Sequence, residues 1–251
     1  MAINGEGRGA RAAKAWALII ECAGGKPVAA EHVCQAVSAA VGVDGAALSL
    51  STGLDSQSLV HATDEVARRV AELQFSLGEG PGVEAWAFGG TSLAPDLGSA
   101  ATAARWPWLA PAAVQAGARA VFAFPLQAGA IRLGTLDLYR ARSGPLAVEQ
   151  LADALTFAAA ALGVMLHTAH PRAGPAQEVQ PLGAMQESRA EVYQATGMIA
   201  AQLDASLAEA FVRLRAHAFT QGVGVAEIAR LVVSRNLRFD PDGLTASEAG
   251  D

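Results

Sequence analysis

The sequence predicts an α+β domain followed by an all-α three-helix bundle, and three observations carry that reading. Strand-type and helix-type periodicities alternate through roughly the first two thirds of the chain. A proline-rich, aperiodic stretch then interrupts them, and the pattern beyond it is helical only. With 251 residues, 52% hydrophobic and 17% charged, the chain has enough apolar material for one large or two smaller cores and does not have the composition of a disordered protein.

The elements follow in order. Arg8, Arg11 and Lys14 precede an apolar run from Trp16 to Ile20, the opening of a signal peptide in outline, but Glu21 ends the run too early. Residues 1–25 are therefore set apart as an N-terminal segment. Gly45 to Leu50 and Ser58 to Ala62 are short strand-type runs on either side of the turn-forming Ser51-Thr-Gly-Leu-Asp-Ser56, which predicts a hairpin. Val66, Val70 and Leu73 then recur at helical spacing. Ala118 to Gln127 and Ala130 to Tyr139, broken at Gly129, predict a second hairpin with Phe122, Phe124 and Leu126 on one face and Val121 and Ala123 on the other. Leu151, Leu155, Ala158 and Leu162 mark a long alanine-rich helix. This order is that of an antiparallel sheet flanked by helices, over residues 26–168.

Thr168 to Gly183 carries three prolines and no periodicity, so 169–184 reads as a linker. Residues 185–239 form the bundle. Val192, Ala195, Ile199 and Leu203 make one apolar stripe; Leu207, Ala210, Phe211, Leu214 and Ala218 a second; Val225, Ile228, Ala229 and Val232 a third. Ser206-Leu-Ala-Glu209 has the form of a capping box, and Gly222 and Gly224 separate the last two helices. Residues 240–251 are polar or small and read as a disordered tail.

Composition limits function. A net charge of −6 leaves no global basic field, so any nucleic-acid contact has to come from a local patch. Cys22 and Cys34 are too few for a disulfide framework and are read as reduced and buried. The longest weakly polar stretch, Ala154 to Leu166, is about thirteen residues, short of the roughly twenty that span a bilayer. No membrane span and a cytoplasmic location are expected. Beyond the linker-adjacent pair His167 and His170 the histidines lack ligand spacing, and no nucleophile elbow, phosphate loop or framed carboxylate pair is present. No metal, no cofactor and no enzymatic activity are expected.

Two resemblances sharpen the reading. Leu77-Gly-Glu-Gly-Pro-Gly82, Trp86, Pro95-Asp-Leu97, Arg105-Trp-Pro107, Ala120-Val-Phe-Ala-Phe-Pro-Leu126 and Leu133-Gly-Thr-Leu-Asp-Leu-Tyr139 together resemble actinobacterial GAF domains. Val192-Tyr-Gln-Ala-Thr-Gly-Met-Ile199, Glu209-Ala-Phe211, Leu214-Arg-Ala-His-Ala218 and Glu227-Ile-Ala229 resemble an ANTAR domain. The combined resemblance implies a GAF module that senses a small molecule or mediates dimerisation. It also implies a homodimeric ANTAR module that binds paired RNA hairpin loops in a leader transcript and favours transcription antitermination. The chain departs from both patterns. Gly82 stands where many relatives carry a cysteine, and Thr196 and Gly224 stand where a basic residue is frequent.

Gln194, Thr196, Gly197, Arg213, Arg215, Arg230 and Arg235 are the candidate RNA-binding residues, the arginines for phosphates and splayed bases and Gly197 for close approach of the helix. A solvated arginine face, and a glycine that only lets helices pack, are the plain alternatives. Trp86, Trp106, Phe122 and Phe124 are candidates to line a GAF ligand pocket, with filling of the sheet core as the alternative. Two other functions compete: a helix-turn-helix DNA-binding regulator with a recognition helix starting after Ser234, and a protein-interaction module without nucleic-acid binding.

Overall fold

The computed structural model describes residues 5–53, 56–129, 131–169 and 183–240. The chain divides into two compact units, Met1–Gly174 and Pro175–Asp251. Most of the linker (170–182) and of the tail (241–251) lies outside the described residues.

The first unit runs α1 (Gly5–Ala23), α2 (Ala30–Val41), β1 (Gly45–Gly53), β2 (Ser56–Ala62), α3 (Glu65–Leu77), α4 (Pro81–Phe88), β3 (Ser92–Ala94), α5 (Ala100–Arg105), α6 (Leu109–Gln115), β4 (Ala120–Ala128), β5 (Ile131–Arg140) and α7 (Val148–Ala169). Its five strands form one sheet in the order β2-β1-β5-β4-β3, with every neighbouring pair antiparallel. The α+β class and both hairpins are present. Four helices and a short edge strand join them that the sequence reading left undrawn: α2, α4, α5, α6 and β3. The segment 1–25 also contains a helix, α1, whose Ala15, Ile19 and Ala23 point inward at a spacing of four. Small alanines give that stripe little contrast with its surroundings.

Strand alternation divides the sheet into two faces. Ala46 and Leu48 of β1, Phe122, Phe124 and Leu126 of β4, and Leu136 and Leu138 of β5 pack against Ile19, Val33, Val37, Phe157 and Ala161 from α1, α2 and α7. Each fully buried large side chain there contributes roughly 2–3 kcal/mol. The opposite face carries Ser49, Thr135 and Asp137 and is covered by α3 and α4, with α6 packed on α3.

Local chemistry sets the helix ends on that second face. The Asp64 carboxylate caps α3 by accepting from the Ala67 amide at 2.8 Å. Gly78 stops α3 in the left-handed conformation, and Gly80, at φ 127°, leads into α4 with Pro81 in its first turn. Glu79 then accepts from the Trp108 and Leu109 amides at 2.7 Å each, tying this turn to the start of α6.

Two sequence expectations need correction. Cys34 is buried, with its thiol pushed up to about 12 by burial, but Cys22 is exposed near the end of α1. The apolar run in α7 is also longer than the stretch from Ala154: Val148–His167 is 20 residues at mean hydropathy 1.3, long and apolar enough by length and composition to cross a membrane. Charges at Glu149 and Asp153 hid that extent. One side of the helix is buried against the sheet.

The second unit contains α8 (Gly183–Leu203), α9 (Leu207–Gln221) and α10 (Val225–Val233). The three stripes meet in a core that includes Ile199, Phe211, Leu214, Ile228 and Val232. Leu207 is the exception and stays exposed. Ser206 and Glu209 form the capping box: the Ser206 hydroxyl accepts from the Glu209 amide at 3.2 Å and the Glu209 carboxylate accepts from the Ser206 amide at 3.1 Å. Ser206→Ala is expected to lower the stability of this unit by about 1 kcal/mol, measured by urea denaturation followed by circular dichroism. An unchanged midpoint would mean that α9 does not depend on its cap.

Candidate nucleic-acid interface

The bundle places the seven candidate residues in different environments. Gln194 and Gly197, three residues apart, share an exposed face of α8. A Cβ built on Gly197 meets no atom within 4 Å. Helix packing among the described residues therefore does not require this glycine, although glycine in a helix interior costs about 1 kcal/mol relative to alanine. Thr196 points the other way: it is buried, and its hydroxyl donates to the Val192 carbonyl at 2.7 Å. It is a core residue of α8 and offers no hydroxyl to a ligand, because its position on the helix falls beside Val192 and Ala195 on the packed side.

Arg230, exposed on α10, reaches toward α8, with Nε 3.8 Å from the Glu191 carboxylate, one turn before Gln194. Gln194, Gly197 and Arg230 thus occupy neighbouring surface. Arg213 is exposed on α9 next to Glu209, whose carboxyl is held below its usual range chiefly by hydrogen bonds from Ser206 and further by the Arg213 charge. Arg215 is half-buried, its guanidinium stacked 4.2 Å from the centre of the Phe211 ring, so its role in packing is at least as large as any role at the surface. Arg235 is exposed just beyond α10 in the left-handed conformation at φ 63°.

The segment after α10 contributes something that periodicity did not reveal. Phe239 is buried edge-on against His217 with ring centres 5.4 Å apart, and its amide donates to the Gln202 side chain at 2.9 Å. Residues 236–239 therefore close the bundle, and no helix follows Ser234 among the described residues up to Asp240. The recognition helix required by a helix-turn-helix reading is absent from that stretch.

The four aromatics assigned to a ligand pocket do not line one cavity. Phe122 and Phe124 sit on the face packed against α1, α2 and α7, with no free surface. Trp86 and Trp106 belong to the opposite side, where Trp106 is buried with its indole N–H donating to Glu84 at 3.1 Å. Glu84 also accepts from Ser92 at 2.9 Å and from Arg105. Strand parity puts residues 122 and 124 on one face, while the tryptophans come from helix α4 and the turn after α5 on the other side.

That second face holds a buried polar group instead. The Gln74 amide nitrogen donates to Asp137 Oδ2 at 2.8 Å, and Gln74 Oε1 accepts from the Gly82 amide at 2.6 Å. A Cβ at Gly82 would stand 2.7 Å from Asp137 Oδ2, so a side chain at this position would force Asp137 or Gln74 to shift. Burial pushes the Asp137 carboxyl up to about 7, opposed by the Gln74 amide and the Thr135 hydroxyl. Trp86 Nε1 and Ser49 Oγ are buried without a hydrogen-bond partner among the described residues. The signal for this cluster was in the sequence: Asp137 stands between Leu136 and Leu138, at the parity opposite to the main core. No group of three or more potential metal-ligating side chains occurs among the described residues.

Against known families, residues 182–233 match the ANTAR domain, a stretch that takes in α8, α9 and α10. The chain therefore carries an ANTAR domain, an RNA-binding antitermination module of regulatory proteins. No curated protein matches the chain. Among solved structures, a domain of a two-component sensor histidine kinase protein from Sinorhizobium meliloti is similar at TM-score 0.44 and 20% identity, over 55% of this chain and 90% of that one. Escherichia coli SdiA is similar at TM-score 0.46 and 13% identity, over 88% of this chain and 96% of its own. SdiA in complex with octanoyl-rac-glycerol gives TM-score 0.45 and 13% identity, over 88% and 93%.

Proposed function

We propose that this protein is a cytoplasmic, homodimeric antitermination regulator in which a GAF-type domain over residues 26–168 governs an ANTAR domain that binds paired hairpin loops of a leader transcript. The GAF-type domain acts through dimerisation or through a small-molecule ligand. The observation that carries the RNA reading is the ANTAR match across the three helices. Gly197 supports it: an exposed helical glycine costs helix stability, and a side chain there would meet nothing among the described residues. Close approach of an RNA backbone or base to α8 accounts for its presence. Gln194 offers an amide beside it, and Arg213, Arg230 and Arg235 supply cations for phosphates. With a net charge of −6, binding depends on this local surface and falls steeply with salt.

The test is a salt titration of the full chain with a twin-hairpin RNA and with a duplex DNA of equal charge. Gly197→Leu, which fills the open face with a good helix former, is expected to weaken hairpin binding about tenfold or more, roughly 1.4 kcal/mol, with helicity preserved. Arg213→Ala with Arg230→Ala is expected to lower affinity and flatten the salt dependence. Equal binding to both nucleic acids, or to neither, overturns the RNA reading in favour of a protein-interaction module.

A further inference from the structure

Phe211 and Phe239 are buried in the core of the second unit, whereas Tyr193 on α8 is 40% exposed and Phe219 on α9 is 48% exposed. The two exposed rings have different surroundings. Phe219 shares a face of α9 with Val212 and Ala216, exposed apolar neighbours at helical spacing. Tyr193 stands beside Gln194 and one turn before Gly197, on the exposed face of α8. Helical side chains lean toward the N-terminus, so the residue four positions on covers the C-terminal side of a given side chain. At Tyr193 that residue is Gly197, where an added Cβ meets no atom within 4 Å. The space on this side of Tyr193 is therefore open among the described residues. Both positions also run against helix propensity, since tyrosine ranks below alanine and glycine lower still. Two such choices on one exposed face, with open space at Gly197, mark a surface that serves something other than folding.

We infer that Tyr193 is the stacking platform for an unpaired base of the RNA loop, laid against the side of the ring that Gly197 leaves uncovered. The inference rests on the RNA reading proposed above and assigns, within it, the residue that tells a loop from a duplex. An aromatic ring takes a splayed base on its face, and a base already paired and stacked in a duplex has no face to offer. Gln194, beside the ring, carries a carboxamide that both donates and accepts along a base edge. Arg230, with Nε 3.8 Å from the Glu191 carboxylate one turn before Gln194, is the nearby cation for the phosphate of that nucleotide. Stacking involves no exchange of counterions, so it adds affinity without changing the salt dependence that Arg230 contributes. In a chain of net charge −6, discrimination between nucleic acids has to come from a contact of this kind and not from a basic field.

The test uses the full chain and the twin-hairpin RNA with its loops intact, with abasic nucleotides in the loops, and with 2-aminopurine at each loop position in turn. Tyr193→Leu keeps an apolar residue of good helix propensity and should bind intact loops about tenfold more weakly, with the slope of affinity against salt unchanged. Tyr193→Phe should bind as the wild type does. On abasic loops Tyr193→Leu and the wild type should bind alike. The wild type should quench 2-aminopurine emission at one loop position, and Tyr193→Leu should not. Phe219→Leu should change none of these results. Tyr193→Leu combined with Gly197→Leu should lose little more than either alone, because both act on the same stacked base. Additive losses in that pair, an equal loss on intact and abasic loops, or quenching that survives Tyr193→Leu would each overturn the stacking role. Wild-type affinity in Tyr193→Leu, with hairpin preference retained, would overturn it and leave the RNA reading standing. A wild-type protein without hairpin preference would overturn both.

Discussion

Gly134→Ala is expected to destabilise the sheet by about 3 kcal/mol or more, at the upper end of what overpacking costs. Gly134 lies in β5 between β1 and β4, opposite Leu50 on one side and Leu126 on the other. A Cβ there would stand 1.9 Å from the Ser49 carbonyl oxygen and 2.8 Å from the Leu50 Cα. Both atoms are backbone, so no rotamer change relieves the collision. Either β1 moves away from β5, losing ladder hydrogen bonds at the centre of the sheet, or β5 shifts and disturbs β4. For a unit of this size each kcal/mol moves the melting temperature by roughly 2–4 °C, so a fall of about 10 °C in thermal denaturation is expected. Gly197→Ala is the control, since its Cβ meets nothing, and it should be neutral or slightly stabilising. A wild-type melting temperature for Gly134→Ala would show that β1 and β5 do not approach as described.

The second large effect is on pH dependence and centres on Asp137. Its folded-state pKa, raised to about 7 mainly by burial, lies above the ordinary aspartate value of 3.8 that holds in the unfolded chain. Between those two values the folded state holds a proton that the unfolded state releases, so stability falls as pH rises through the window and levels off above it. At about 1.4 kcal/mol per pH unit the loss is on the order of 4 kcal/mol. Asp137→Asn retains an oxygen that can accept from Gln74 and cannot ionise. The variant should match the wild type near pH 4 and exceed it by a few kcal/mol at pH 8, measured as urea midpoints across pH. Exposed carboxylates such as Glu65 and Glu209, held below their usual range chiefly by hydrogen bonds from Arg68 and Ser206, act in the opposite direction in both proteins and cancel in the comparison. A variant that tracks the wild type at every pH would place Asp137 in contact with water.

Reading the sequence worked best where periodicity is strong and neighbours are local. The two hairpins, α3, α7 and the three stripes of the bundle were visible because their apolar residues repeat at two or at three and four. The Ser206–Glu209 cap was visible because its partners are three residues apart. The short helices α4, α5 and α6 each present too few turns for a period to show, and α1 hides its inward face behind alanines. At the nucleic-acid surface, the arginines could be named but not sorted. Arg215 and Arg213 differ by two positions, enough to send one onto Phe211 and the other into solvent.

The sequence by itself determined the α+β class, the helical bundle at the chain's end and the ANTAR resemblance, all of which rest on short-range spacing and residue order. Only the tertiary structure decided how the candidate residues divide. It turned Thr196 inward, set Phe122 and Phe124 on the opposite sheet face from Trp86 and Trp106, joined Gln74 and Asp137 across 63 positions, and left one stripe of α7 uncovered. The physical reason is the same in each case. Burial and pairing depend on which distant segments share a face, and that is fixed by strand parity and helix packing, which residue order along the chain does not record.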